Sequence, residues 1–135
     1  MRLILLTLAA AMSAAPALAA DPVKLQATLA GSADSDADGT GSATVTIDPA
    51  KSEVCYTLKV SGIEPATMAH IHNGAAGVSG PVAVPLDAPT SGTAQGCKPA
   101  AAEVIAAIVA SPADYYVNVH NATFPKGAIR GQLGR

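Results

Sequence analysis

From residue 23 onward, apolar side chains recur at every second position. Val23, Leu25, Ala27 and Leu29 alternate with Lys24, Gln26 and Thr28, and Ala43, Val45 and Ile47 alternate with Ser42, Thr44 and Thr46. Period two marks a strand with one buried and one wet face. Asp48-Pro49-Ala50-Lys51 reads as a turn, because proline fixes φ and the Asp side chain can accept a backbone hydrogen bond. A strand over Glu53 to Val60 follows, burying Val54, Tyr56, Leu58 and Val60, so residues 42–60 predict a hairpin. Further short strands are expected over 67–72, 82–86, 93–97, 115–120 and 128–133. Between 98 and 111 the period changes: Val104, Ile105, Ile108 and Val109 form a helical stripe, with Pro99 suited to the first turn and Pro112 as the stop. Seven or eight short strands and one short helix predict a mainly β fold, an antiparallel β-sandwich of immunoglobulin-like or superoxide-dismutase-like form.

The first residues follow a different rule. Arg2, the apolar run from Leu3 to Met12 and the small residues Ala17-Leu18-Ala19 have the three parts of a secretory signal peptide. The apolar run is shorter than the roughly 20 residues that span a bilayer. The expected organisation is a leader over 1–19 and one domain over 20–135, secreted or periplasmic, with no membrane span after cleavage. The Ala-rich leader and single-domain layout point to a bacterial source.

Composition narrows the function. The formal net charge is −2 and the Lys and Arg residues are scattered singly, which excludes a nucleic-acid backbone as partner. Trp is absent and Phe124 is the lone Phe, so there is no aromatic platform for sugars or bases. No nucleophile elbow, H-E-x-x-H, phosphate loop or dinucleotide fingerprint occurs, and no catalytic residue is assigned. Cys55 and Cys97 are the only cysteines, and an even count in an exported chain predicts a disulfide. Cys55 lies on the polar face of its strand with Glu53, Thr57 and Lys59, where a free thiol would oxidise. The bond would close a loop of about 40 residues, contributing about 2–4 kcal/mol.

The three histidines are the sharpest chemical signal. His70 and His72 share one face of a strand, and His120 ends the strand that carries Tyr116 and Asn118 on the same face. All three sit at strand ends beside loops, and they converge if the strands are neighbours. Three imidazoles with an open position suit copper or zinc. The alternative is that they hydrogen-bond loop carbonyls and rigidify the end of the sandwich. Arg130 stands in a small, apolar strand, either to hold an anion or to pair with a carboxylate such as Glu64 or Asp114. Asp34, Asp36 and Asp38 imitate half of a calcium loop, but position twelve is Val45 where an EF-hand needs a Glu. Asn121-Ala122-Thr123 matches the N-glycosylation pattern.

Several segments together carry a family resemblance. Ala69-His70-Ile71-His72-Asn73-Gly74, Gly80-Pro81-Val82, Tyr115 to His120, Phe124-Pro125 and Gly127 to Leu133 resemble the CHRD (chordin-type) domain. The strand from Gly41 to Asp48 and the strand around Tyr56-Thr57-Leu58 match its layout, so the resemblance covers nearly all of residues 20–135. It implies an exported, β-rich, single-domain protein. The Cys-rich modules that carry much of chordin's ligand binding are missing, so growth-factor binding does not carry over. His-x-His on a strand is also similar to copper/zinc superoxide dismutase, but three histidines cannot build its paired sites. Two functions follow: a non-catalytic binding or structural module facing an extracytoplasmic protein or surface, or a mononuclear copper or zinc protein with weak redox activity.

Overall fold

A computed structural model describes residues 20–135, together with 11, 13 and 14. The expected leader otherwise lies outside the described residues. The strands are β1 (Val23–Ala30), β2 (Thr40–Asp48), β3 (Glu53–Ser61), β4 (Ala66–Asn73), β5 (Val82–Leu86), β6 (Thr93–Pro99), β7 (Tyr115–Asn121) and β8 (Ile129–Gln132). The helix α1 spans Ala102–Ala110 and is followed by a single 3-10 turn at Pro112–Asp114.

The period-two strands pair as expected. Residues 40–61 form the β2–β3 hairpin with Val45 opposite Tyr56 and Ile47 opposite Val54. Its turn is held by the Lys51 N–H donating to Asp48 Oδ1 at 3.2 Å. The helix contains the whole apolar stripe but starts later than Pro99 suggested. Lys98 and Pro99 continue β6 opposite Val54 and Glu53, so Pro99 ends an edge strand, a position where its missing N–H costs nothing. Ile105 and Ile108 are the helical residues that enter the core.

The eight strands form one antiparallel sheet in the order β5-β4-β7-β8-β1-β2-β3-β6. It is continuous rather than split into two layers, and it curls almost into a barrel around one core that includes Leu25, Val45, Leu58, Ile71, Val117 and Ile129. The two edges are tied where they approach. Tyr56, buried on β3, donates its hydroxyl to Asp87 Oδ2 at 2.8 Å and accepts from the Asp87 N–H at 2.9 Å, just beyond β5. Lys98 on edge strand β6 completes the tie with an ion pair to Asp87 Oδ1 at 2.8 Å. At the β8–β1 seam, a side chain on Gly131 would collide with the Thr28 carbonyl, so glycine lets the strands close there.

Cys55 and Cys97 face each other across β3 and β6 and are joined by a disulfide, as the exported-chain argument expected. No helix among the described residues is long and apolar enough to cross a membrane.

Candidate metal centre

The strands β4 and β7 are antiparallel neighbours, with His70 opposite Asn118 and His72 opposite Tyr116. Their inward residues, Ala69, Ile71, Val117 and Val119, fill the core. Their outward residues form one surface: Met68, His70 and His72 from β4, and Tyr116, Asn118 and His120 from β7. The histidines therefore do not gather at an end of the fold. An antiparallel pair sets the last residues of one strand beside the first of the other, so the three run diagonally across the sheet's outer face.

That outer face is covered, which is why every residue of β7 is buried. Two loops fold over it, residues 74–81 and 122–128. His72 Nδ1 lies 2.9 Å from the Gly80 carbonyl, and His120 Nδ1 lies 3.0 Å from the Pro125 carbonyl. A carbonyl can only accept, so both Nδ1 atoms carry the proton and both Nε2 atoms carry the lone pair. The His72 Nε2 is buried and without a hydrogen-bond partner. The His120 Nε2 faces His70 Nδ1 at 3.1 Å. One ring nitrogen from each of the three residues lies within 4.8 Å of the other two.

The setting favours the neutral form of His70 and His120. Burial lowers the His70 pKa below the ordinary value of 6.5, and the neighbouring His120 and His72 lower it further. Burial also lowers that of His120, opposed by its bond to the Pro125 carbonyl and assisted by His72. A neutral imidazole with a free lone pair is the form that binds a metal.

Around the histidines is a shell that positions them. The His72 ring stacks on the Tyr116 ring, centroids 4.9 Å apart and planes 3° from parallel. The Arg130 guanidinium lies on a Tyr116 ring face at 3.5 Å from the centroid. It donates to the carbonyls of Val78 and Ala75 at 3.1 and 3.3 Å, and to Gln132 Oε1 at 3.0 Å. Gln132 Nε2 in turn holds the Gly74 carbonyl at 3.0 Å. The Gly80 N–H donates to the Tyr116 hydroxyl at 3.2 Å. The 74–81 loop that anchors His72 is thus clamped by Arg130, Gln132 and Tyr116 together. The 122–128 loop that anchors His120 packs on Asn118, which donates to the Lys126 carbonyl at 3.3 Å. Gly127 makes this packing possible: its φ is +131°, and an added Cβ would strike the Asn118 amide.

Other sequence expectations fall differently. Arg130 has no carboxylate partner, because the Lys98–Asp87 pair is the one salt bridge among the described residues. The expected partner Glu64 instead accepts from the Thr123 hydroxyl at 3.1 Å. The Asp34, Asp36 and Asp38 carboxylates do not gather within ligand reach of one another; the loop is tied by the Asp36 N–H donating to the Ala128 carbonyl at 3.2 Å. Asn121 is 1% exposed, so the glycosylation pattern marks a structural residue. Its amide accepts from the Phe124 N–H and donates to the Glu64 carbonyl. Met68 was not singled out by sequence, yet it lies directly opposite His120 and two residues before His70. The period-two pattern Met68-x-His70-x-His72 was the available signal.

No curated protein and no solved structure matched the chain. The family comparison did: the CHRD domain pattern matches residues 25–133, nearly the whole described chain, and the protein therefore belongs to the CHRD domain family.

Proposed function

We propose that this protein is an exported, non-catalytic binding module whose ligand is a single copper or zinc ion held by His70, His72 and His120. The reading rests on the unsatisfied His72 Nε2 beside the paired nitrogens of His70 and His120. Carbonyl bonds from His72 and His120 alone fit a structural latch. A latch does not explain the buried His72 acceptor left bare, which costs about 1–3 kcal/mol. A metal ion does, and it would use the facing nitrogens of His70 and His120, otherwise joined by a hydrogen bond, as its other ligands. Metal-binding histidines commonly donate their second ring N–H to a backbone carbonyl, which fixes tautomer and orientation. With metal–nitrogen bonds of about 2.0–2.1 Å, tetrahedral ligands stand about 3.3 Å apart. The 3.1 Å separation of His70 Nδ1 and His120 Nε2 suits that spacing. The ion would take the place of the proton between that pair, and the single proton of neutral His70 would move from Nδ1 to Nε2, the tautomer that frees the Nδ1 lone pair.

Export is part of the proposal. It is supported by the disulfide on the polar face of β3 and by the leader pattern of residues 1–19. The test is metal-dependent stability. Metal-free protein titrated with copper or zinc should gain stability as RT ln(1 + [L]/Kd), and the His70→Ala/His72→Ala/His120→Ala variant should show no gain. Equal gains in both proteins would refute the assignment of these ligands.

A further inference from the structure

Three imidazoles leave the choice between copper and zinc open, because nitrogen donors suit both. The residue that decides is on the same face. Met68 lies directly opposite His120, and its strand direction places His70 two residues on. Residues directly opposite in an antiparallel pair have Cβ atoms about 4.5–5.5 Å apart, and i, i+2 neighbours on one strand stand roughly 6.7 Å apart. A methionine side chain has three rotatable bonds, and its thioether can span either gap. Met68 is also 48% exposed, one of three large apolar side chains so placed among the described residues, so its rotamers are not fixed by packing. A solitary exposed apolar residue needs no explanation. One placed on the histidine face, across from a ligand and in period with two others, does.

The chemistry then selects the ion. A thioether is a soft donor that favours Cu(I), whereas zinc with three imidazoles completes its shell with water. Resting on the three-histidine reading above, we infer that Met68 supplies a fourth, thioether ligand and that the resident ion is copper in its cuprous state. Met1 and Met12, the other two methionines, fall in the expected leader, so the assignment to Met68 is unambiguous.

The test compares wild type with Met68→Leu, a substitution of similar volume at a half-exposed position. Cu(I) is supplied anaerobically as its acetonitrile complex, without thiols, so that the disulfide stays intact. Its affinity is measured against bicinchoninate, and zinc affinity is measured separately. X-ray absorption at the copper edge reports whether sulfur is bound. The expected result is a Cu(I) affinity at least tenfold weaker in Met68→Leu, loss of the sulfur signal, and zinc affinity within twofold of wild type. Unchanged Cu(I) affinity in Met68→Leu would overturn the thioether assignment while leaving the histidine site standing. Equal losses for both ions would also overturn it, since they would signal a general disturbance. A wild-type protein that binds neither ion would overturn the histidine site and the inference together.

Discussion

Replacing Arg130 with methionine keeps most of the side chain's bulk and removes its charge and its donors. The structure gives the loss in parts. The guanidinium stacked on Tyr116 at 3.5 Å contributes about 0.5–2 kcal/mol as a cation–π contact. Its bonds to the Val78 and Ala75 carbonyls are charge-assisted but at the surface, so we assign each about 0.5–1 kcal/mol rather than the larger value of a buried bond. The sum is roughly 1.5–4 kcal/mol, with partial compensation by water favouring the lower half of that range. Urea unfolding followed by circular dichroism measures it. A second consequence is specific to the site. Arg130 clamps the 74–81 loop, and that loop supplies the carbonyl that orients His72. Loosening such a supporting group typically weakens metal binding 10–100-fold, so Arg130→Met should do so without touching a ligand. Arg130→Lys should recover little, because an ammonium cannot fork to two carbonyls and lie flat on a ring. If Arg130→Met unfolds within about 0.5 kcal/mol of wild type and binds metal equally well, the clamp is not what holds His72 in place.

Three further outcomes follow from the rest of the molecule. Tyr56→Phe removes both bonds that tie β3 to Asp87 and should cost about 1–3 kcal/mol in denaturant unfolding. The Lys98 and Tyr56 hydrogen bonds hold the Asp87 pKa below its usual 3.8, so this tie is in place above that pH and is lost as pH falls through the folded-state value. Acid unfolding of Tyr56→Phe should accordingly be less steep in that range than that of wild type. The Cys55→Ser/Cys97→Ser pair opens a crosslink between residues 42 apart and should destabilise by about 2–4 kcal/mol; an unchanged melting temperature would show that the bond contributes nothing. In the metal-free protein, His70 and His120 should titrate below 6.5 by NMR. Their burial favours the neutral form in the folded state, so stability from this source is present above 6.5 and declines as pH drops below it. Values at or above 6.5 would contradict the buried setting.

The strands β1, β2 and β3 were legible because they alternate along most of their length, and a one-residue slip would turn their core residues outward. The hairpin of β2 and β3 follows from that alternation, and the bond between Cys55 and Cys97 was expected from the even cysteine count and the leader pattern. The closure into one curled sheet was not legible. It depends on Tyr56 reaching Asp87 and on Gly131 passing the Thr28 carbonyl, contacts between residues far apart in sequence. Pro99 misled the reading of the helix start, since a proline serves equally at the end of an edge strand. The convergence of the histidines depended on their strands being neighbours, which the pairing of β4 with β7 supplies, but their place was not foreseen. Tyr116, Asn118 and His120 read as a wet face by period alone, and only the two covering loops make that face a second buried layer. Arg130 read as an ion-pair residue because a lone cation in an apolar strand usually needs a carboxylate. Here an aromatic ring and loop carbonyls satisfy it instead.

The central claim is that His70, His72 and His120 form one metal site, and stoichiometry tests it most directly. Metal-free wild-type protein dialysed against equal low concentrations of copper and zinc, then analysed by elemental mass spectrometry, should retain one metal ion per chain. The triple alanine variant, shown to be folded by circular dichroism, should retain none under the same conditions. A wild-type protein that emerges empty, or a triple variant that retains the metal, would contradict the account.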